Sequence, residues 1–246
     1  MRISVVIPAL NGERWIKRAV ESALDQILID ANDGLPERYE VIVRDDGSTD
    51  GTLAVLKEIQ ERDKRLRVVE GGPSGGIGAS FNEAFFLAQT EFVTVMGQDD
   101  MIDREYLARA LRSFKPEVAM VACHPRFIDA DYKPYADATD TRTQVPKPSN
   151  MTREQFLSIF KIGNMYFGIN TYRRSAVIEA GGFDPKAGWL LDLDLYIRLV
   201  KESSIHVIEE ELCSLNLHAG ATSCLRCFSR EFFIWLDYQA VLKMRL

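Results

Sequence analysis

In the N-terminal part of this chain, short β-branched runs alternate with longer segments of helical spacing, and that alternation is what parallel βαβ units require. The runs are Ile3 to Ile7, Glu40 to Val43, Leu66 to Val69 and Phe92 to Met96. Each is short and apolar enough to be buried on both faces, which predicts an α/β fold with a mostly parallel central sheet. Trp15, Ile16, Ala19, Val20, Ala23 and Leu24 recur at three- and four-residue intervals, giving a helix with one apolar stripe to lay on that sheet. Further helices are expected over Asp50 to Glu61, Ala79 to Ala88 and Arg104 to Ser113, followed by a strand over Val118 to Cys123. Beyond it come a polar loop from Ala136 to Asn150, a helix over Arg153 to Phe160, a break at Gly181 and Gly182, and a helix over Asp194 to Lys201.

Open parallel sheets bind ligands beyond the carboxyl ends of their strands, so the chemistry is to be sought in the turns that follow them. After the first run comes Pro8-Ala9-Leu10-Asn11-Gly12-Glu13, in which Pro8 ends the ladder and Asn11 is a candidate helix cap. The second run is followed by Asp45-Asp46-Gly47-Ser48-Thr49-Asp50-Gly51-Thr52. Ser48, Thr49 or Asp50 is placed to cap the next helix, but capping does not need two preceding carboxylates. Adjacent acids at a strand end call for a metal, backbone amides or the donor groups of a base or ribose. The fourth run ends in Gly97-Gln98-Asp99-Asp100, a second carboxylate pair that suits magnesium or manganese, whose shells substrate phosphates complete. The plain reading of that pair is two solvated acids ahead of a helix. The Gly71 to Gly78 run lacks the lysine and hydroxyl residue of a phosphate loop and reads as a turn beside the ligand.

Charge narrows the function classes. The 30 Lys and Arg against 36 Asp and Glu give a net charge of −6, which argues against a nucleic-acid partner. No apolar run approaches the roughly 18–20 residues that span a bilayer, and Met1 leads directly into a strand, so the expected location is cytoplasmic. Cys123, Cys213, Cys224 and Cys227 are too few for a disulfide scaffold and read as reduced thiols. Near the C-terminus, Phe233, Leu236, Ala240 and Met244 lie close to helical spacing. The helix they imply, over Glu231 to Met244, would pack on the core by default, or on a second subunit or a membrane surface.

Taken together, these motifs resemble the family 2 glycosyltransferases of the GT-A fold, over most of the chain. Ser4 to Asn11 is similar to the family's opening strand and turn, Asp45 to Thr52 to its Asp-Asp-Gly-Ser-x-Asp-Gly-Thr stretch, and Asn82 stands where an asparagine is usual. Gln98-Asp99-Asp100 resembles a variant of its Asp-x-Asp motif with the first acid replaced. Gly181 to Asp184 and Asp192 to Leu199 resemble its acceptor-side segment, and Leu217 to Ser223 a segment carrying a histidine. Two positions depart from the pattern: Leu191 replaces a glutamate and Phe81 replaces an arginine.

The resemblance implies an inverting transfer of a sugar from a nucleotide diphosphate donor to a hydroxyl, in cell-surface polysaccharide or glycan synthesis. It implies that Pro8, Ala9, Asn11, Glu13, Asp46 and Asp99 bind the donor, with Asp46 at the base and Asp99 at the ribose. Asp100 and His218 would hold a divalent cation, Mn or Mg, and Asp192 would be the catalytic base. Residues 1–103 would form the nucleotide-sugar half and residues 104–246 the acceptor half of one continuous domain. The acceptor, a sugar or glycolipid, would meet the loops between Phe127 and Asn170, where Tyr132, Tyr135, Asn164, Tyr166 and Asn170 offer stacking and hydrogen bonds. A glycolipid acceptor would bring the protein to the inner face of the membrane. Two other readings keep the same sheet: a nucleotide-sugar-binding protein without turnover, in line with Leu191 and Phe81, and a nucleotidyltransferase, which would need a basic glycine-rich loop where Ala9 to Glu13 stands.

Overall fold

A computed structural model describes residues 2–28, 38–135, 150–152, 154–155 and 169–218. The expected loop from Ala136, most of the Arg153 helix, Asn164, Tyr166, Cys224, Cys227 and the C-terminal helix lie outside them. The chain separates into two compact units, residues 1–126 with 137–215 and residues 127–136 with 216–246.

The four expected strands are present as β1 (Ile3–Ala9), β2 (Glu40–Asp45), β3 (Leu66–Glu70) and β4 (Phe92–Val95). They run parallel, with β1 between β2 and β4 and β3 beyond β2. Ile3, Val5, Val6 and Ile7 are fully enclosed, and each such side chain stabilises the fold by about 1.5–3 kcal/mol relative to exposure. That double-sided burial is why β1 reads as an unbroken apolar run. Helix α1 (Ile16–Leu24) buries the predicted stripe of Ile16, Ala19, Val20, Ala23 and Leu24. Helices α2 (Thr52–Arg62) and α3 (Ile77–Leu87) complete the crossovers.

The remaining strands turn the sheet antiparallel. They are β5 (Met101–Ile102), β6 (Val118–Asp129), β7 (Asn150–Met151), β8 (Asn170–Arg173) and β9 (Ser204–Leu217). Among the described residues the order is β3-β2-β1-β4-β8-β6-β9-β5, with β7 on β9. The short β5 pairs with Ser214 and Cys213 of β9, so the turn between β4 and β5 is held at both ends. The Arg104 helix is α4 (Tyr106–Ser113), the turn at Gly181 and Gly182 follows α5 (Arg174–Glu179), and α6 (Leu191–Leu199) starts three residues before the expected Asp194. Cys123 and Cys213 are buried free thiols on neighbouring strands, with their sulfurs 3.3 Å apart. No helix among the described residues is long and apolar enough to cross a membrane.

In the second unit, Asp129 ties a tight turn by accepting from the Asp131 and Lys133 amides, each at 2.9 Å. Tyr132 takes the left-handed conformation within that turn (φ 63°), and the Tyr135 amide closes it on the Phe127 carbonyl at 2.9 Å.

Candidate active site

The turn after β1 and the turn after β2 are built as one piece. Ser48 Oγ accepts from the Asn11 amide at 2.9 Å, Thr52 Oγ1 from the Gly12 amide at 2.8 Å and Asp50 Oδ2 from the Glu13 amide at 3.1 Å. In return, Asn11 Oδ1 accepts from the Thr49 amide at 2.8 Å and Glu13 Oε2 from the Gly51 amide at 3.0 Å. Asn11 therefore caps no helix. It takes a left-handed conformation (φ 50°), and its side chain reaches across to the neighbouring turn, while Trp15 opens α1 without a side-chain cap. Helix α2 likewise begins after Gly51 with no side-chain cap. A Cβ on Gly51 would come within 2.4 Å of the Glu13 carboxylate, so this approach requires glycine. Burial works to raise the Asp50 carboxyl, but hydrogen bonds from Thr52 and from the Glu13 amide outweigh it and leave Asp50 below its ordinary range.

Gln98 joins the turn after β4 to the same assembly. Its Oε1 accepts from the Leu10 amide and its Nε2 donates to the Leu10 carbonyl, both at 3.0 Å. A carboxylate has no proton with which to make the second bond, which gives the glutamine a physical reason. Just beyond, a Cβ on Gly97 would meet Asp100 Oδ2 at 2.6 Å and Asp99 Oδ1 at 3.0 Å, so the two half-exposed carboxylates fold toward one point. Among the described residues no group of three or more His, Cys, Asp or Glu gathers around a metal position. One or two carboxylate oxygens suit a hard cation whose shell substrate oxygens and water complete, and do not suit zinc.

The acids at the end of β2 divide their roles. Asp45 is buried, and its Oδ2 accepts from the Gly47 and Ser48 amides at 3.0 and 2.9 Å, while Oδ1 is buried without a hydrogen-bond partner. Asp46, also buried, pairs its Oδ1 with the Arg44 guanidinium and accepts from Ser74 Oγ at 2.8 Å on Oδ2. Pro8 and Ala9 finish β1 beside Arg44 and Asp45. The structure thus brings Pro8, Ala9, Asn11, Glu13, Asp46, Asp99 and Asp100 to the carboxyl ends of β1, β2 and β4. His218, half-buried, follows β9 and belongs to the second unit.

The two acids at the start of α6 separate cleanly. Asp194 is buried and paired with Arg198, whose Nε stands 2.8 Å from its Oδ2, and Arg198 also donates to the Ala180 carbonyl at 2.5 Å. Asp192, two positions earlier on the first turn of α6, is exposed. Lost hydration raises its carboxyl to about 6. Leu191, where the family pattern has an acid, is buried. Burial raises the phenols of Tyr172 and Tyr196 well above their ordinary range, and the Asp192 charge adds to it. Asn170, on β8, donates to the Tyr196 hydroxyl at 2.7 Å.

Sequence reasoning missed two structural roles. Asn82 Nδ2 donates to the Phe183 carbonyl at 2.7 Å and its Oδ1 accepts from the Phe183 amide at 2.8 Å, fastening the Gly181-Gly182 turn to α3. Phe81 packs edge-on against Phe183 with centroids 5.5 Å apart. The other is Arg44, a charged residue inside an apolar strand pattern, which was the one available signal of a buried ion pair.

Comparison with known proteins bears on the fold and the family. Chondroitin synthase of Pasteurella multocida (strain Pm70) is 26% identical over 223 residues, which is 90% of this chain and 21% of that protein. The chain thus spans about a fifth of that relative's length. Among solved structures, S. aureus TarS 1-349 in complex with UDP superposes with a TM-score of 0.67 at 21% identity, covering 88% of this chain and 60% of that one. The mannosyltransferase PcManGT from Pyrobaculum calidifontis, in complex with GDP-Man and Mn2+, gives 0.63 at 19% identity, with 90% and 58% covered. The sequence profile of glycosyl transferase family 2 matches residues 4–181, from within β1 to the turn after α5, and the chain belongs to that family.

Proposed function

We propose that the protein is an inverting glycosyltransferase that moves a sugar from a nucleotide diphosphate to a hydroxyl acceptor in cell-surface polysaccharide or glycan synthesis. The observation that carries this reading is the convergence of the Asp45–Thr52, Pro8–Glu13 and Gln98–Asp100 turns at one end of the parallel strands, the place where such sheets take ligands. Support also comes from family membership and from a structural neighbour solved with UDP and another with GDP-Man.

In this reading residues 1–103 bind the donor and residues 104–246 the acceptor, a sugar or glycolipid presented at the cytoplasmic face of the membrane. Pro8, Ala9, Asn11 and Glu13 line the donor pocket, Asp46 meets the base and Asp99 the ribose. Asp100 and, by the family resemblance, His218 would hold a divalent cation, which would supply Lewis-acid neutralisation of the leaving diphosphate. Asp192 takes the proton from the acceptor hydroxyl as its oxygen bonds to the anomeric carbon, and the bond from that carbon to the diphosphate oxygen breaks. The electron pair leaves with the nucleoside diphosphate, and no covalent enzyme intermediate forms. A carboxyl near 6 is ionised at neutral pH yet basic enough to help, which suits this role.

The test is thermal stability with UDP, GDP and dTDP, with and without manganese, followed by release of nucleotide from the matching sugar nucleotide. Metal-dependent stabilisation by one nucleotide, together with transfer or slow hydrolysis, is expected. Binding with neither reaction would make the protein a non-catalytic binder of nucleotide sugars. No stabilisation by any nucleotide would overturn the donor site.

A further inference from the structure

Resting on the donor reading above, we infer that Arg44 is a positioning residue that fixes Asp46 for the nucleobase and thereby sets which base the donor carries. Arg44 lies on β2 with only 9% of its side chain exposed, and a guanidinium so placed needs several acceptors. It has them. Nη1 pairs with Asp46 Oδ1 and donates to the Asp45 carbonyl at 3.1 Å, while Nη2 pairs with Glu83 on α3 and donates to the Gly72 carbonyl at 2.9 Å. The Gly71 backbone lies against the same group: a Cβ there would meet Arg44 Nη2 at 2.7 Å and Cζ at 2.8 Å. One planar side chain therefore ties together the end of β2, the Gly71–Gly76 turn and α3.

Two consequences follow for Asp46. Asp46 is ion-paired to the guanidinium, and a carboxylate in such a pair offers a ligand acceptors only. Its orientation is also set from both sides, because Arg44 takes one oxygen and Ser74 Oγ the other. Each carboxylate oxygen can accept more than one hydrogen bond, and Ser74 Oγ has a second acceptor in the Gly76 carbonyl at 3.3 Å. A base with a ring N–H beside a carbonyl, such as uracil, thymine or guanine, can therefore donate to Asp46 Oδ2 while Ser74 turns to Gly76. Adenine has no ring N–H to offer there. Discrimination of this kind, where a buried acceptor is left unmatched by the wrong ligand, is large.

The test is calorimetric binding of UDP, GDP, dTDP and ADP, with manganese, to the wild-type chain, to Arg44→Gln and Arg44→Lys, and to each in the Asp46→Asn background. Wild type is expected to prefer one imino nucleotide over ADP. Arg44→Gln should weaken that nucleotide by about tenfold or more and leave ADP within about twofold, flattening the preference. Donor KM should rise while kcat holds. Arg44→Lys, which keeps the charge but not the planar fork, should fall between the two and carries the test if Arg44→Gln does not fold. With Asp46→Asn already present, changing Arg44 should add little, since Arg44 acts through Asp46. A folded Arg44 variant with unchanged preference, or an equal loss for every nucleotide, would overturn the inference and leave the donor site standing. Failure of wild type to bind any nucleotide would instead overturn the donor reading itself, and this inference with it.

Discussion

The turns at the carboxyl ends of β1 and β2 and the start of α6 treat their carboxylates in opposite ways. At the carboxyl ends of β1 and β2, Asp45, Asp46, Asp50 and Glu13 all accept hydrogen bonds or ion pairs from the protein, so charge there maintains geometry. On α6, Asp194 is committed to Arg198, whereas the only cause of the raised Asp192 pKa is lost hydration. A carboxylate held by donors is a poor base because its ionised form is already stabilised. One crowded by protein without compensation is a better base. Among the described residues, the contrast favours Asp192 as the acid that accepts the proton in the proposed transfer.

The sharpest way to break that contrast is Asp192→Asn. Turnover should fall by about 10² to 10⁴ with donor KM nearly unchanged, measured as steady-state release of nucleotide. In the unaltered chain kcat should rise with pH up to about 6 and level above it, because only the ionised form is a base. Stability should move the other way. The folded pKa lies above the ordinary 3.8, so the folded state binds the extra proton and stability declines as pH climbs from about 4 to about 6. Asp192→Asn should abolish both limbs, and a retained activity limb would assign the base elsewhere.

In the strand-end turns, the claim that charge builds geometry is sharpened by Gln98→Glu. That change keeps the acceptor toward the Leu10 amide but sets a second oxygen against the Leu10 carbonyl. A loss of about 1–3 kcal/mol in denaturant unfolding is expected, with nucleotide affinity falling alongside it. Unaltered stability would mean that the clasp contributes nothing. The smallest effect should come from Asn82→Ala, which removes the two bonds to Phe183 at a cost of about 1–2 kcal/mol by the same measurement. Nucleotide affinity should be preserved, since that clamp serves the Gly181-Gly182 turn.

The parallel half of the sheet was legible because double-sided burial and α1's stripe leave direct periodic traces in Val5, Ile7, Ile16 and Val20. Strand β9 was not. Its middle, Glu209, Glu210 and Glu211, faces solvent, and its place depends on partners far away in the chain, which no local pattern encodes. The site divides similarly. Residue types in the turns after β1, β2 and β4 identified where ligand chemistry lies, and the family resemblance singled out Asp192. Periodicity could not tell that Asn11 braces the neighbouring turn in place of a cap, nor that Arg44 occupies both Asp46 and Glu83. Those roles are fixed by which side chains meet across the sheet.

The bracing between the first two turns also governs how the site comes into being. Its hydrogen bonds link positions 37 to 40 apart in the chain, so none can form before β1 and β2 lie in register. The cost of closing that loop is met once, by the strands, and the turns then lock together at little further entropy. The bracing of these two turns therefore has no half-assembled stage: a nascent chain acquires it together with the β1–β2 crossover, and a partly unfolded one loses it whole.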